Sequence, residues 1–375
     1  MTTTTGPVTS VARNQPSSSW LSPDSSQWIR GPFYDAVFFC ALWWVPVSVL
    51  ILGTTGALAS ALFFILYHLF IRVPHFAATA NFTYLYQANQ AYYREHWIRY
   101  LAVPAAIVAA YAVRPWFDSR SAYNNVLLSV ATIWGMQHIA AQNFGVLSLY
   151  RGRSSARADS RLRSIEKAVF YELMALAIFE SILRLWISVP SSIIRGGYWA
   201  IRLAVVATCV GYVARIWARR HVAPVSVPAL LYFATAVSVM VPWPIYQRLP
   251  VAQGADAFFY IFNGQHCLAY LGLVFHMSSN RQRAGRPFGS WVEGGASFAR
   301  FYLKLAVGAS VLCAVAGYVW LRNSLPFDVA SGYEALRVLD GIFVAHYYLE
   351  SNTWRFSNPH NRAVVLPLLK GFAQS

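Results

Sequence analysis

Predominantly apolar runs recur along the chain, at 33–52, 123–149, 225–244, 258–277 and 301–321 among others, separated by short polar stretches. Each run, wound as a helix, is long enough to cross about 30 Å of hydrocarbon. The pattern predicts an all-α, polytopic transmembrane helical bundle of about ten spans, roughly at 33–53, 57–86, 100–114, 123–150, 166–189, 196–217, 225–244, 254–277, 296–320 and 334–356. Residues 1–28, rich in Ser, Thr and Pro, read as a disordered cytoplasmic tail. Residues 29–356 form the bundle, and 357–375 follow as a cytoplasmic C-terminal tail. The second helix is the irregular one. Pro74 interrupts it, and the stretch 84–100, rich in Tyr, Gln and Asn, reads as an interfacial segment leaving the bilayer.

Composition agrees with this reading. Only 12% of the residues are charged while 57% are hydrophobic, against about 25% charged in a soluble domain. A net charge of +16 invites a nucleic-acid partner, but the basic residues are not arranged as a binding face. They cluster between the apolar runs: Arg151, Arg153, Arg157, Arg161 and Arg163 after the fourth, Arg215, Arg219 and Arg220 at the sixth, Arg281, Arg283 and Arg286 after the eighth, Arg355 and Arg362 after the tenth. Every cluster follows an even-numbered helix. The positive-inside rule then gives N-in, C-in topology, with lipids rather than nucleic acid as neighbours. The four cysteines lie singly in apolar runs, which supports neither a disulfide framework nor a zinc ribbon.

Four of the nine histidines form a pattern. His75, His138, His266 and His346 lie on even-numbered helices. Each has a polar residue four positions later: Thr79, Gln142, Tyr270 and Glu350. Residues at i and i+4 share a helix face, so each imidazole points the same way as its companion. Counting along the helices puts the four at similar depth, between mid-bilayer and the cytoplasmic interface. Burying imidazole in hydrocarbon is costly unless a partner is supplied, and a metal ion shared by all four is one such partner. Neutral imidazoles suit iron or copper, with zinc or haem also compatible. Thr79, Gln142 and Asn263, which precedes His266 by three, would brace the rings. Tyr270 and Glu350 would move protons, and Glu172, which has no partner nearby in sequence, is a further ligand or proton carrier. Two plainer readings stand beside this: isolated interhelical hydrogen bonds, or a proton or substrate path.

The block HYYLESNTWRFSNP resembles a motif of uncharacterised bacterial polytopic membrane proteins, roughly HYxLD followed by IWR and a proline. The blocks PHFAATANFTY, QHIAAQNFGVL and QHCLAYLGLVF are similar to their other His-centred segments. In this chain Glu350 stands where the pattern has Asp, and Thr353 where it has Ile. The resemblance implies a common site without naming its chemistry. A looser likeness, architectural only, is to the membrane carotene-cleaving dioxygenases, which are helical and bind iron through histidines. The eight-histidine boxes of membrane desaturases are absent from the sequence. The reading that follows is an integral-membrane, metal-dependent oxidoreductase acting on a lipophilic small-molecule substrate. Its alternatives are a proton-coupled transporter or channel with a His/Glu relay, and a membrane group-transferase with one catalytic histidine.

Overall fold

The computed structural model describes 21–22, most of 27–48, 67–114, 117, 121–153, 159–186, 192–221, 225–241, 251–283, 299–308 and 329–370. Among these residues the chain is helical except for one two-residue parallel pairing, in which β1 (Leu21–Ser22) meets β2 (Val225–Ser226). The pairing reaches into the segment expected to be a tail. Helix α1 (Pro32–Asp35) continues as a π-turn, Ala36–Cys40. A π–α–π run follows, His68–Arg72, α2 (Val73–Ala80) and Asn81–Leu85. Next come α3 (Gln87–Glu95), a π-turn Ile98–Ala102, α4 (Val103–Ala112), α5 (Ala122–Gly152), α6 (Ser160–Trp186), α7 (Ser192–Arg219), α8 (Val227–Met240), α9 (Val251–Arg283), α10 (Val329–Thr353) and α11 (Pro359–Lys370).

The all-α class therefore holds. The ten spans do not all occur as continuous helices among the described residues. The first is interrupted at Ala41, whose φ of 49° is left-handed. Pro46, a few residues further on, has no N–H to give to a helical hydrogen bond, and its ring crowds the preceding turn. The second ends at Tyr86, where the backbone turns extended, and α3 begins the segment expected to be interfacial. Pro74 does not break its helix: it sits in the first turn of α2, directly after a π-turn that re-registers the backbone bonds. Residues 49–66, 242–250 and 309–328, parts of the first, second, seventh and ninth expected spans, lie outside the described residues.

Helix α9 is the axis of the bundle. Residues 261–280 are buried on every face, and α2, α5, α8, α11 and the π-turn at 36–40 pack around it. Such a helix needs no amphipathic stripe. Helix α10 lies along α4 and crosses α2 and α5, which brings three elements together beside α9. Small residues permit the closest approaches. A methyl group on Gly341 would lie 2.8 Å from Tyr111 Cβ and 3.1 Å from Val108 Cα, and one on Gly264 would collide with the Trp44 indole.

The segment after residue 356 is more than a tail. Val365, Leu368 and Leu369 of α11 are buried, and the Leu368 carbonyl accepts from Asn280 Nδ2 at 2.9 Å. The arginine-rich helix ends gather at this same end of the bundle. Arg153 donates to the carbonyls of Trp28 and Leu369 at 3.0 and 3.2 Å. Arg30 reaches Ser279 Oγ at 3.2 Å. Asp159 receives Arg215 and Arg219 at 3.2 and 2.5 Å. Burial alone would raise the Asp159 carboxyl, but the Leu162 N–H and the two guanidinium groups outweigh it and hold it below the usual carboxylate range.

Because α10 meets α4 backbone-to-backbone at Gly341, Gly341→Ala is expected to lower stability by about 1–3 kcal/mol, the usual cost of overpacking. Thermal unfolding in detergent measures it. An unchanged melting temperature would show that the two helices are free to separate.

Candidate metal centre

Four helices each deliver one histidine to the interior beside α9. His75 stands on α2, His138 at the middle of α5, His266 at the middle of α9 and His346 on α10. From His138 to the arginine-rich end of α5 is 14 residues, and His266 stands 14 residues before Asn280 at the same end, about 21 Å in each case. Two of the longest helices therefore set the depth of the group. π-turns flank α2, which carries His75 and Thr79; such irregular turns are common at functional sites.

All four imidazoles are buried. Each offers one ligand atom, and those atoms lie within 4.8 Å of one another. His75 Nε2 and His346 Nε2 are 3.0 Å apart. Ring centroids of His75 and His266, His138 and His266, and His75 and His346 are 4.9, 4.8 and 4.8 Å apart. His346 Nδ1 meets the Phe343 carbonyl at 2.6 Å. A carbonyl only accepts, so Nδ1 carries the proton and Nε2 presents its lone pair to the group. His75 Nδ1, His138 Nε2 and both nitrogens of His266 have no hydrogen-bond partner. A buried polar group left so costs about 1–3 kcal/mol.

Glu350, one turn beyond His346 on α10, brings Oε2 to 3.3 Å from His138 Nε2 and Oε1 to 3.9 Å from His75 Nε2. Thr79 Oγ1 lies 2.5 Å from Glu350 Oε1, 3.2 Å from the Tyr270 hydroxyl and 3.3 Å from the His75 carbonyl. Three of the four i+4 companions therefore form one polar wall. The fourth, Gln142, donates to the main-chain carbonyl of His266 at 3.0 Å: it braces the helix rather than a ring. Asn263 likewise turns from His266 and donates to the Tyr67 hydroxyl at 2.6 Å. Glu172 is not in the group; it accepts from Thr208 of α7 at 3.0 Å.

Aromatic rings also pack against the imidazoles. Phe76 stacks 4.4 Å from both Phe343 and His346. Tyr347 lies 4.8 Å from His138 and 4.5 Å from His346, and Tyr270 lies 4.5 Å from His75. Sequence reasoning singled out neither Tyr347 nor the Phe343 carbonyl, although the carbonyl stands at the i−3 position where a helical histidine finds its acceptor. Nor did it mark Arg72, buried with its guanidinium 3.1 Å from the centre of the Phe343 ring.

Other described histidines are placed differently. His276 pairs with Asn280 at 3.0 Å, and His360 with Asn89 Oδ1 at 3.1 Å. His96 and His360 stack on Tyr92, with ring centres 4.2 and 4.0 Å away. These rings have ordinary partners, whereas the four interior ones face each other. Two nitrogens bound to one ion at about 2.0–2.1 Å stand about 3 Å apart, which is the His75–His346 separation. The group is a donor set able to hold a metal ion. Compared with known proteins, the chain matches no family model, no curated protein and no solved structure.

Proposed function

We propose that the chain is an integral-membrane, metal-dependent oxidoreductase acting on a lipophilic substrate. Its metal is held by His75, His138, His266 and His346. The observation that carries the reading is four buried imidazoles whose ligand atoms lie within 4.8 Å of one another, with His75 Nδ1, His138 Nε2 and both nitrogens of His266 lacking a hydrogen bond. Four unlinked interhelical hydrogen bonds would leave each ring a partner of its own, as His276 and His360 have. An all-imidazole donor set suits iron or copper. The bound metal would supply Lewis acidity or a redox couple. Thr79, Tyr270 and Glu350 make the polar side on which a substrate oxygen or a proton is handled, while Phe76, Phe343 and Tyr347 favour an apolar substrate.

Membrane embedding rests on the outer surface. Gly196–Arg219 is the one helix among the described residues both long and apolar enough to cross a bilayer. Its exposed stripe runs through Trp199, Leu203, Val206, Val210, Val213 and Trp217. The two tryptophans are 18 residues apart, about 27 Å along the axis, close to the hydrocarbon thickness they would bracket. Arg202 stacks on Trp199, and Arg220 on Trp217, as cations do when they snorkel from the two interfaces. Exposed Val126, Val130 and Ile133 on α5 extend the apolar surface. With the arginine-rich end facing the cytoplasm, both termini lie inside.

Metal analysis of detergent-purified, full-length protein tests the centre. Iron or copper is expected near one per chain. His138→Gln and His346→Gln are each expected to remove most of it while leaving the protein inserted, since an interhelical hydrogen bond in a membrane is worth only about 0.6 kcal/mol. No bound transition metal after reconstitution, or metal content indifferent to all four histidines, would refute the reading. Reporters fused after Gly152 and after Arg283 are expected on the cytoplasmic side, and one between Val189 and Ser192 outside. Gly152 and Val189 reporting the same side would overturn the topology.

A further inference from the structure

Glu350 is placed as a ligand would be, rather than as the hydrogen-bonded support of one. The geometry points to Glu350 as the fifth ligand of the centre, giving a four-nitrogen, one-oxygen site for a six-coordinate metal, ferrous iron, in place of tetrahedral zinc or cuprous copper. This rests on the four-histidine reading above and changes its metal class.

Three observations carry it. The first is an approach without a hydrogen bond. Glu350 Oε2 stands 3.3 Å from His138 Nε2, yet that nitrogen has no hydrogen-bond partner. A carboxylate supporting the ring from outside would accept its N–H in line. Here two electron-pair donors turn toward the same space at the separation that two ligands of one ion keep, about 3 Å. Glu350 Oε1 lies 3.9 Å from His75 Nε2, so the carboxylate faces ring nitrogens from two other helices.

The second is the support of the carboxylate itself. Thr79 Oγ1 stands 2.5 Å from Oε1, and the Tyr270 hydroxyl stands 3.2 Å from Thr79. Ligating carboxylates are themselves oriented by such outer hydrogen bonds, and Thr79 and Tyr270 supply them from α2 and α9.

The third is charge. Four neutral imidazoles leave a divalent ion uncompensated in a buried layer, where an unpaired charge is very costly. Other acids with described contacts are engaged elsewhere. Asp35 is held by Tyr150 and main-chain N–H groups, Glu166 by Arg151, Asp159 by Arg215 and Arg219, Asp340 by Arg114, and Glu172 by Thr208. Glu350 is the carboxylate beside the four histidines, against the rings of His138 and His75. Four nitrogens alone complete a tetrahedron; a carboxylate beside them calls for a larger coordination number. Imidazoles with a carboxylate and one free position suit ferrous iron.

Cobalt(II) titration of apo full-length protein in detergent tests this, because tetrahedral cobalt absorbs visible light far more strongly than six-coordinate cobalt. The wild type is expected to bind cobalt with a weak band. Glu350→Gln is expected to lower affinity about 100-fold or more and intensify the band, while Thr79→Val costs about 10- to 100-fold, as an outer partner does, with the weak band retained. If Glu350→Gln does not fold, Glu350→Asp takes its place: reduced cobalt affinity supports a ligating carboxylate, and affinity and band both unchanged overturn it. An intense band in the wild type, or Glu350→Gln with affinity and band unchanged, removes Glu350 from the ligand set and leaves the four-histidine centre standing. Wild-type protein that binds neither cobalt, iron, copper nor zinc overturns the centre as well.

Discussion

Four imidazoles buried at one level, with four of their ring nitrogens left without hydrogen-bond partners, are the constraint to which the rest of the structure answers. Each must reach that level from a different helix, and His75 Nδ1, His138 Nε2 and both nitrogens of His266 have no hydrogen bond there. Left alone, such a layer would cost several kcal/mol at about 1–3 kcal/mol per unpaired group, a large share of a domain's net stability. A shared metal would convert the same layer into a cross-link between α2, α5, α9 and α10. The bundle's most buried helix and its glycine contacts then bear on the same group: they hold four donors within 4.8 Å of one another, where one ion could reach them all.

Helix α9 shows how the site and the core became the same object. Its described face carries Asn263, Gln265, His266, Tyr270, His276 and Asn280, all buried, a polar load that a core helix bears only when each group is answered. Most are answered by neighbours: Asn263 by Tyr67, Gln265 by the Phe39 carbonyl, and Asn280 by His276 and the Leu368 carbonyl. His266 alone among them has no hydrogen bond on either ring nitrogen. The contrast within one helix separates residues that join helices from the one ring that makes no hydrogen bond.

Much of this was legible in the sequence, and for identifiable reasons. The i to i+4 companions of the histidines could be read because helical geometry fixes which residues share a face. Thr79, Tyr270 and Glu350 do meet across three helices. Spacing could not separate a companion that faces the rings from one that faces a neighbouring backbone. Gln142 and Asn263 have the right spacing and turn elsewhere, because a helix face is wide and its partner helix decides which edge is used. Glu172 misled through the same gap: its lack of a partner in sequence concealed one in space, Thr208. The break at Ala41 and the π-turns around Pro74 were also hidden, since hydropathy averages over the local hydrogen-bond register. The docked helix α11 was missed because its short apolar run, Val364 to Leu369, is broken by Pro367 and follows a polar stretch.

The arginines extend the argument from the site to the whole bundle. Positive-inside counting treats them as exposed labels of one membrane face, yet several are structural here. Arg151 is buried against Glu166 and Tyr212, Arg153 spans from Trp28 to Leu369, and Arg215 and Arg219 close on Asp159. A cation at the end of a helix can choose a topology during insertion and afterwards accept a partner from the next helix. Because all these pairs form at one end, they tie the segment leading into α1, the connection between α5 and α6, the end of α7 and the end of α11 into a single rim. That rim lies about 21 Å from the histidines along α5 and α9. It fixes the axial position of both long helices, and a shift of one helix by a single residue would move its histidine about 1.5 Å out of the layer. Metal–nitrogen bonds vary by only about 0.2 Å. The charges that would orient the chain and the donors that would bind the metal are thus linked through two helices of fixed length.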